Sequence, residues 1–324
     1  MIRLRTSKNL ISRAWSGVNR VARFARDQRW LGSEKLPTRT VGIGNLQAGG
    51  AGKTPLTIRL ARDAIASGLH VAILMRGYRS AWERTGGILA PGDSAPSPEL
   101  CGDEPALIHD QVPEVWIGVG ADRLGQFEKL QSQAVLKTGR QFDLVILDDA
   151  FQHWKIECDQ MVLAITDSEF GERIFRDDFS AVRPSDLIVL TKGDQFPEAL
   201  RSHPQQIRAQ FRVPAGDPGK SYRFVAALGD PERARTSFVK AGYRIQGMTV
   251  FPDHHSFSSS EVEKIIEEAH SLGETILLSG KDWVKWRALG VSALSVQVVE
   301  PVIEIQAGLP LWERIIHEGF AENR

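Results

Sequence analysis

Short apolar runs alternate along the chain with stretches in which apolar residues recur every three or four positions. The runs are typical of buried strands, and the stretches are typical of amphipathic helices, such as residues 258–271. This alternation predicts an α/β fold with a doubly wound, mostly parallel sheet. The predicted strands cover residues 40–43, 70–75, 115–119, 143–149, 161–165, 187–190, 224–228, 248–251 and 276–278, and paired strands follow near 294–298 and 302–306.

Changes in amino-acid composition and pattern divide the chain into three parts. Residues 1–30 are predicted to form a basic amphipathic helix, residues 31–221 the core, and residues 222–324 a smaller C-terminal α/β domain. The boundary falls in residues 195–221, where Pro, Gln, Arg and Gly accumulate as in a connecting segment. Residues 79–99, rich in Gly, Pro and Ser, are predicted as a long loop.

A glycine-rich segment, residues 44–54, connects the first predicted strand to a helical pattern. Its last six residues are Gly49, Gly50, Ala51, Gly52, Lys53 and Thr54. Strand, glycine loop, Lys-Thr and helix in this order are typical of a P-loop, in which backbone N–H groups surround phosphate oxygens at a helix N-terminus. Lys53 would contact the β- and γ-phosphates, and the Thr54 hydroxyl would bind Mg²⁺.

One position departs from the usual P-loop pattern. Gln47 stands six residues before Lys53, where a glycine is usual. An ordinary glycine-rich turn ahead of a helix is the alternative. The flanking strand and helix favour the P-loop, so the sequence predicts a P-loop NTPase-like core that binds a nucleoside triphosphate.

Asp148 and Asp149 end the apolar run at residues 143–149. In a parallel sheet the carboxyl ends of neighbouring strands meet at one edge, so we expect this pair beside the P-loop. A carboxylate there binds the Mg²⁺ that accompanies the nucleotide. Two aspartates in a turn are the alternative, and the order of the motifs favours the magnesium site.

Charge is unevenly distributed, although 40 Lys and Arg residues balance 40 Asp and Glu residues. The first thirty residues hold eight basic side chains and one acidic side chain, a net charge of +7, so the rest of the chain carries −7. On a helical wheel over residues 8–26, one face is lined by Ile11, Trp15, Val18 and Ala22. Such a helix suits an anionic membrane surface, and a helix packed on its own domain with a solvated basic face is the alternative. The acidic remainder disfavours nucleic-acid binding.

Other features narrow the class of protein. No apolar run reaches the roughly 18–20 residues of a membrane span, and the N-terminus lacks the continuous apolar core of a signal peptide. Cys101 and Cys158 make neither a metal-binding spacing nor a disulfide framework, which indicates a reducing cytosol. A zinc site at His254 and His255 is disfavoured, because adjacent histidines rarely converge on one metal.

Five motifs occur in a fixed order along the chain. They are Gly49-Gly50-Ala51-Gly52-Lys53-Thr54-Pro55, Arg76-Gly77-Tyr78, Gly102-Asp103-Glu104-Pro105, Asp148-Asp149-Ala150-Phe151-Gln152-His153 and Phe251-Pro252-Asp253-His254-His255. Together they resemble the tetraacyldisaccharide 4′-kinases, which make lipid A in Gram-negative bacteria, and the resemblance extends from about residue 40 to Asp282. It implies a kinase that moves the γ-phosphate of ATP, with Mg²⁺, onto the 4′-hydroxyl of a tetraacylated glucosamine disaccharide 1-phosphate. We expect a monomer on the cytoplasmic face of the inner membrane, bound through the N-terminal helix.

The resemblance also implies roles for individual residues. Catalytic roles are implied for Lys53, for Asp103 and for His254, the first histidine of its pair. Contacts with nucleotide or substrate are implied for Gly49, Gly50, Ala51, Gly52, Lys53, Thr54, Arg76, Arg123 and Gln152, and contacts with metal for Thr54, Asp148 and Asp149. Residue types alone favour a helix cap at Asp103 and a turn at the two histidines.

The chain departs from the family pattern at four places. They are Ala150, Phe175-Arg176-Asp177-Asp178, Gly229-Asp230-Pro231 and Ser279-Gly280-Lys281-Asp282. These departures leave the ATP chemistry intact and bear on the details of the acceptor. Two competing classes are a P-loop regulatory ATPase acting at a membrane surface and a lipid-surface binding module with vestigial nucleotide binding, and neither would make a phosphorylated lipid.

Overall fold

Three sheets and ten α-helices make up the described part of the chain, residues 2–28, 30, 32–48, 50–94, 96–170 and 172–318 of a computed structural model. In chain order the strands are β1 (Glu34–Lys35), β2 (Arg39–Asn45), β3 (Val71–Met75), β4 (Gly87–Leu89), β5 (Trp116–Val119), β6 (Leu144–Asp148), β7 (Ile156–Glu157), β8 (Gln160–Thr166), β9 (Leu187–Lys192), β10 (Gln206–Arg212), β11 (Ser221–Ala226), β12 (Arg244–Val250), β13 (Thr275–Ser279), β14 (Val296–Val299) and β15 (Val302–Ala307). The helices are α1 (Ile2–Asp27), α2 (Lys53–Ala66), α3 (Trp82–Thr85), α4 (Pro98–Cys101), α5 (Asp103–Gln111), α6 (Arg123–Thr138), α7 (Pro231–Lys240), α8 (Ser259–Ser271), α9 (Gly280–Ala288) and α10 (Leu309–His317).

The largest sheet has nine strands in the order β15-β10-β9-β8-β2-β6-β3-β5-β4. Neighbouring strands are parallel except at the two ends, where β15 and β4 run antiparallel to β10 and β5. Helices α2, α5 and α10 pack on one face, and α6 packs on the other. The predicted doubly wound, mostly parallel sheet is therefore confirmed, and its central strands are continuous apolar runs because both faces are covered.

A second sheet of four parallel strands follows in the chain, in the order β12-β11-β13-β14. Its core contains side chains from α8 and α9 on one face and from α7 on the other. α9 also contacts the large sheet's layer, because Val284 belongs to the same apolar cluster as α2 and α5. This helix therefore joins the smaller unit to the larger one.

The prediction that the last two strands pair with each other is wrong. β14 lies beside β13 in the small sheet, whereas β15 lies beside β10 at the end of the large one. α10 follows β15 there, and the Trp312 indole donates from Nε1 to Asp63 Oδ2 at 2.8 Å. Without β15 the edge of β10 would leave backbone groups unpaired. The predicted domain over residues 222–324 therefore extends too far, since residues 302–317 pack with the large sheet.

The prediction of a long loop over residues 79–99 is wrong in part. α3 and β4 lie inside this range, and β4 pairs with β5. A three-residue strand is too short for its hydrophobic period to be read. Gly86 precedes it and Gly87 is its first residue, and two consecutive glycines are typical of a turn rather than a strand.

α1 confirms the predicted N-terminal helix, and its polar side is the one that packs on the protein. The buried side chains are Ser12, Ser16 and Asn19. The exposed apolar side chains are Leu10, Ile11, Trp15, Val18, Val21 and Phe24, each at least 44% exposed. This arrangement is the reverse of an ordinary surface helix, which buries its apolar stripe. Among the described helices, none is long and apolar enough to cross a membrane.

α1 rests on residues 174–178, which we call the strap. The Asn19 side chain donates from Nδ2 to Arg176 O at 2.7 Å. On its other side the strap pairs with the start of the glycine loop, where Ala48 N donates to it at 2.8 Å and Arg176 N donates to Leu46 O at 2.7 Å. The strap therefore connects the N-terminal helix to the loop that follows β2.

Candidate active site

The glycine-rich loop lies between the carboxyl end of β2 and the first residue of α2. Gly50 and Gly52 have φ angles of 62° and 84°, which favour glycine. A Cβ atom on Gly52 would lie 2.9 Å from Phe211 Cζ, so a larger residue would displace the ring. Ala51 between them is buried. Gly49, the first predicted contact, lies outside the described residues.

Lys53 begins α2 and extends across the mouth of the loop. Its Nζ atom lies 3.1 Å from Asn45 Oδ1 and 3.4 Å from Asp149 Oδ1. Asn45 ends β2, and Asp149 follows the last residue of β6. Three elements therefore meet at the lysine, at the carboxyl edge of the sheet. This is where a P-loop lysine neutralises phosphate charge.

Asp148 is the buried member of the aspartate pair. It accepts a hydrogen bond from Thr57 Oγ1 at 3.0 Å. Burial raises the pKa of the Asp148 carboxyl, and the nearby Glu104 carboxylate raises it further. Glu104 in turn accepts a hydrogen bond from the Thr54 hydroxyl at 3.3 Å. A cation that binds here would therefore relieve repulsion between two carboxylates.

Asp149 is more exposed and is held by cations. Its φ angle of 50° is uncommon for a residue other than glycine. Arg176 Nη1 of the strap lies 3.2 Å from Asp149 Oδ2, and Lys53 Nζ lies 3.4 Å from Oδ1 of the same carboxylate. Burial alone would raise the pKa of Asp149, but Lys53 and Arg176 lower it overall. Asp149 therefore stays ionised beside the P-loop lysine.

The donors at this edge fit the magnesium ion that the sequence predicts. Mg²⁺ prefers oxygen ligands and is usually held by one or two carboxylates together with substrate phosphates. The Thr54 hydroxyl and the carboxylates of Asp148 and Asp149 supply such oxygens. The repulsion that raises the pKa of Asp148 is what a divalent cation would offset.

Asp103 and His254 are in contact, although 151 positions separate them in the sequence. His254 Nδ1 lies 3.0 Å from Asp103 Oδ2. Asp103 is the first residue of α5, whose N-cap is Gly102, so the alternative of Asp103 as the helix cap is wrong. His254 lies in a turn after β12 with a φ angle of 64°. The contact is present in this structure, so it needs no further closure of the smaller unit.

The second histidine of the pair has a different environment. The His255 ring stacks on Phe251, with 4.6 Å between centroids, and meets Phe257 edge-on at 5.0 Å. It therefore packs within the smaller unit. The geometry distinguishes two neighbours that the sequence alone does not.

Arg76, Arg123 and Gln152 lie near the same edge in three different environments. Arg76 is largely exposed and its Nε atom lies 2.7 Å from Glu83 Oε1. Arg123 is 5% exposed. Burial lowers its pKa, while the carboxylates of Asp148 and Asp149 raise it. Among the described residues, Arg123 Nε and Gln152 Oε1 are buried without a hydrogen-bond partner. Unpaired buried polar atoms are costly, which is consistent with a polar ligand at this position.

Four charged residues of the site are given no individual role by the sequence-based prediction, although three of them stand within motifs quoted there. They are Glu104, Arg176, Lys281 and Lys285. Glu104 stands beside Asp103, and two lysines four positions apart share one face of a helix. Those signals exist in the sequence, but nothing in it indicates that α5 and α9 lie side by side.

Comparison with known proteins agrees with this geometry. The family described as tetraacyldisaccharide-1-P 4′-kinase matches residues 9–316. A tetraacyldisaccharide 4′-kinase from Halorhodospira halophila is 32% identical over 270 residues, covering 80% of this chain and 77% of that protein. The same enzyme from Syntrophus aciditrophicus is 30% identical over 300 residues, covering 80% and 78%.

A solved structure has the same fold. It is the crystal structure of the "apo" form of LpxK from Aquifex aeolicus in complex with ATP, with a TM-score of 0.73 and 23% identity. The match covers 97% of this chain and 100% of that one. The family match spans nearly all of the described residues, and it confirms the resemblance carried by the five motifs. The chain belongs to the tetraacyldisaccharide 4′-kinase family.

Proposed function

We propose that this member of the family uses the carboxyl edge of its large sheet as the active site. It is an ATP-dependent kinase for the 4′-hydroxyl of a tetraacylated glucosamine disaccharide 1-phosphate. The observation that carries the proposal is the meeting of two groups of residues at that edge. Lys53 contacts Asp149, and the Asp103–His254 pair stands beside Glu104, which binds Thr54. Phosphate-binding and proton-accepting groups are therefore neighbours.

The nucleotide is proposed to bind on the glycine loop. Residues Gly49 to Gly52 would surround the phosphates with N–H groups, and Lys53 would contact the transferring phosphoryl group. The Lys53 ammonium is held by Asn45 and Asp149. Those contacts keep the lysine in the loop, ready to exchange a carboxylate for a phosphate.

Mg²⁺ is proposed to bind at Thr54, Asp148 and Asp149. When bound, it would neutralise charge on the phosphates. The hydroxyl and the two carboxylates are the oxygen donors that this ion requires. Arg176 and Lys53 lower the pKa of Asp149 and keep that carboxylate ionised for this role.

The Asp103–His254 pair is proposed to take the proton of the acceptor hydroxyl. As the 4′-oxygen forms its bond to the γ-phosphorus, the bond from that phosphorus to the β,γ-bridging oxygen breaks and ADP leaves. The released proton passes to the pair, and the carboxylate orients the imidazole and stabilises its protonated form. Such assistance is worth roughly 10²–10⁴-fold in rate.

Arg76, Arg123 and Gln152 are proposed to contact the nucleotide or the acceptor. Buried atoms of Arg123 and Gln152 have unused hydrogen-bonding capacity among the described residues. An anionic or hydroxyl-rich ligand, such as a disaccharide phosphate, would satisfy both the charge of Arg123 and the amide oxygen of Gln152.

The N-terminal helix is proposed to bind the cytoplasmic face of the inner membrane. Its polar side packs on the strap, and its apolar side is exposed together with basic side chains such as Arg13 and Arg20. Apolar burial and attraction to anionic headgroups would act together on such a helix. The lipid acceptor lies in the same membrane, so binding would bring enzyme and substrate together.

The test is formation of the phosphorylated lipid. The purified chain is incubated with γ-labelled ATP, Mg²⁺ and the tetraacylated disaccharide 1-phosphate in mixed micelles. We expect label in a lipid that carries one added phosphate at the 4′-position, established by mass spectrometry, and no such product from the Lys53→Ala variant. ATP hydrolysis at the same rate with and without the lipid, and no labelled lipid, would support the regulatory ATPase instead.

A further inference from the structure

Two lysines of α9 pair with two consecutive acids of α5. Lys281 Nζ lies 2.8 Å from Glu104 Oε1, and Lys285 Nζ lies 3.2 Å from Asp103 Oδ2. The lysines are four positions apart and so share one face of the helix. Lys285 is the more buried of the two, with a side chain only 5% exposed. A buried ammonium is costly unless a carboxylate is paired with it, so the burial of Lys285 depends on its contact with Asp103.

The two oxygens of Asp103 have different surroundings. Oδ2 lies within reach of both His254 Nδ1, at 3.0 Å, and Lys285 Nζ, at 3.2 Å. Within the described residues, the hydrogen bond of this carboxylate to His254 uses Oδ2 and not Oδ1. Oδ2 therefore anchors the carboxylate against both the imidazole and the ammonium.

We infer that Lys285 is a positioning residue of the phosphoryl transfer, which fixes Asp103 through Oδ2 and offsets its negative charge beside His254. The inference rests on the proposed role of Asp103 and His254. Lys285 itself touches neither substrate nor nucleotide in this account. It acts through Asp103, and α9 carries it from the smaller unit to the site.

A second carboxylate near Lys285, that of Asp282, belongs to α9 itself. Asp282 is fully buried. Its carboxylate accepts a hydrogen bond from Ser279 Oγ at 2.8 Å and another from Ala227 N at 3.2 Å. It also interacts electrostatically with Lys285. The ammonium is therefore attracted both to Asp103 on α5 and to Asp282 on its own helix.

The charge of Lys285 matters because two carboxylates face the His254 ring. Asp103 approaches Nδ1, and Asp253 Oδ2 lies 3.9 Å from Nε2. Both favour the protonated ring, which cannot accept another proton. The opposing cations are Lys285 and, one turn away on the same helix, Lys281. Removing the Lys285 charge would therefore leave the attraction of the two carboxylates for a proton on the ring less opposed.

The test is the pH profile of kcat/KM for the lipid acceptor, measured with the full chain between pH 5.5 and 9. Lys285→Gln removes the charge and keeps a hydrogen-bond donor, whereas Lys285→Arg keeps the charge. We expect the acid limb of the Gln variant to move to higher pH by about one unit, with activity approaching that of the parent at pH 9. The Arg variant should keep the acid limb of the parent. If the Gln chain does not fold, Lys285→Met, of similar length, carries the same prediction.

Arg287→Gln is the matched control, because Arg287 also joins α9 to α5, through Asp110, without touching Asp103. It should leave the acid limb unchanged. A Lys285→Gln profile that is lowered equally at every pH would overturn the inference and leave Lys285 a purely structural residue. Failure of the proposed function would be distinct, since His254→Ala would then keep the kcat/KM of the parent.

A second measurement does not depend on activity. The pH titration of the His254 ring proton is followed by NMR in the full chain, and the signal is assigned by its loss in His254→Ala. Its midpoint should rise by about the same one unit in Lys285→Gln. An unchanged midpoint would contradict the inference even if turnover falls.

Discussion

Asp282 should make the stability of the chain depend on pH in a predictable way. Its side chain is fully buried at the start of α9, and burial raises its pKa from 3.8 to about 6, against the opposing effects of Ser279 and Lys285. The folded pKa lies above the unfolded value. The contribution of this group to stability is therefore present in full below pH 3.8 and is lost as the pH rises through about 6.

The size of the effect follows from the two pKa values. Each unit of difference corresponds to about 1.4 kcal/mol, but at pH 5 part of the loss has already occurred. Between pH 5 and pH 7.5 the remaining loss is about 1.4 kcal/mol. Asp282→Asn keeps an oxygen for the Ala227 N–H and has no charge to bury. The free energy of unfolding of the parent should therefore fall by about 1.4 kcal/mol relative to this variant over that range.

Urea unfolding followed by tryptophan fluorescence at the two pH values measures this difference. Glu263→Gln, at an exposed position of α8, is the control and should give the same difference from the parent at both. If the stability difference between Asp282→Asn and the parent is constant with pH, the buried carboxyl is not the titrating group, and the reasoning from burial is refuted.

Three further predictions concern the P-loop and the N-terminal helix. Lys53→Ala should lower kcat by about 10²–10³-fold, because it removes a charge contact with the transferring phosphate, and equal turnover would exclude this loop as the active one. Gly52→Ala should weaken ATP binding in calorimetry, because its φ of 84° and the contact with the Phe211 ring forbid a side chain. The control Gly68→Ala, at a φ of 85° with open space around it, should leave ATP binding unchanged. Val18→Asp should reduce sedimentation with anionic vesicles, while Leu136→Asp, on an exposed apolar residue of α6, should not, and equal losses would argue against the helix as the membrane contact.

Much of the large sheet could be predicted because its signals are local. The apolar runs of β3 and β6 are buried on both faces, and their continuous hydrophobicity indicates parallel strands. The edge strand β15 could not be placed, because its pairing with β10 depends on which of two sheets has an open edge. That choice is made by packing between segments about 90 residues apart, which a local pattern does not record.

The site divides in the same way. Lys53, Thr54 and the aspartate pair follow from motifs that end strands or begin helices, so their meeting at one edge could be predicted. Resemblance to the family was needed to select Asp103 and His254, whose residue types alone favour a cap and a turn. Lys281 and Lys285 were missed, because their role depends on α9 lying against α5.

The central claim is that Asp103 and His254 act as one unit on the acceptor's proton, and a double-mutant cycle tests it most directly. kcat is measured with saturating ATP, Mg²⁺ and lipid acceptor for Asp103→Ala, His254→Ala and the double variant, with His255→Ala as the control. We predict that each single change lowers kcat by roughly 10²–10⁴-fold with ATP affinity retained, that the double variant is no worse than the poorer single one, and that His255→Ala keeps most of the turnover. Losses that multiply in the double variant, or full activity of His254→Ala beside an inactive His255→Ala, would contradict the account.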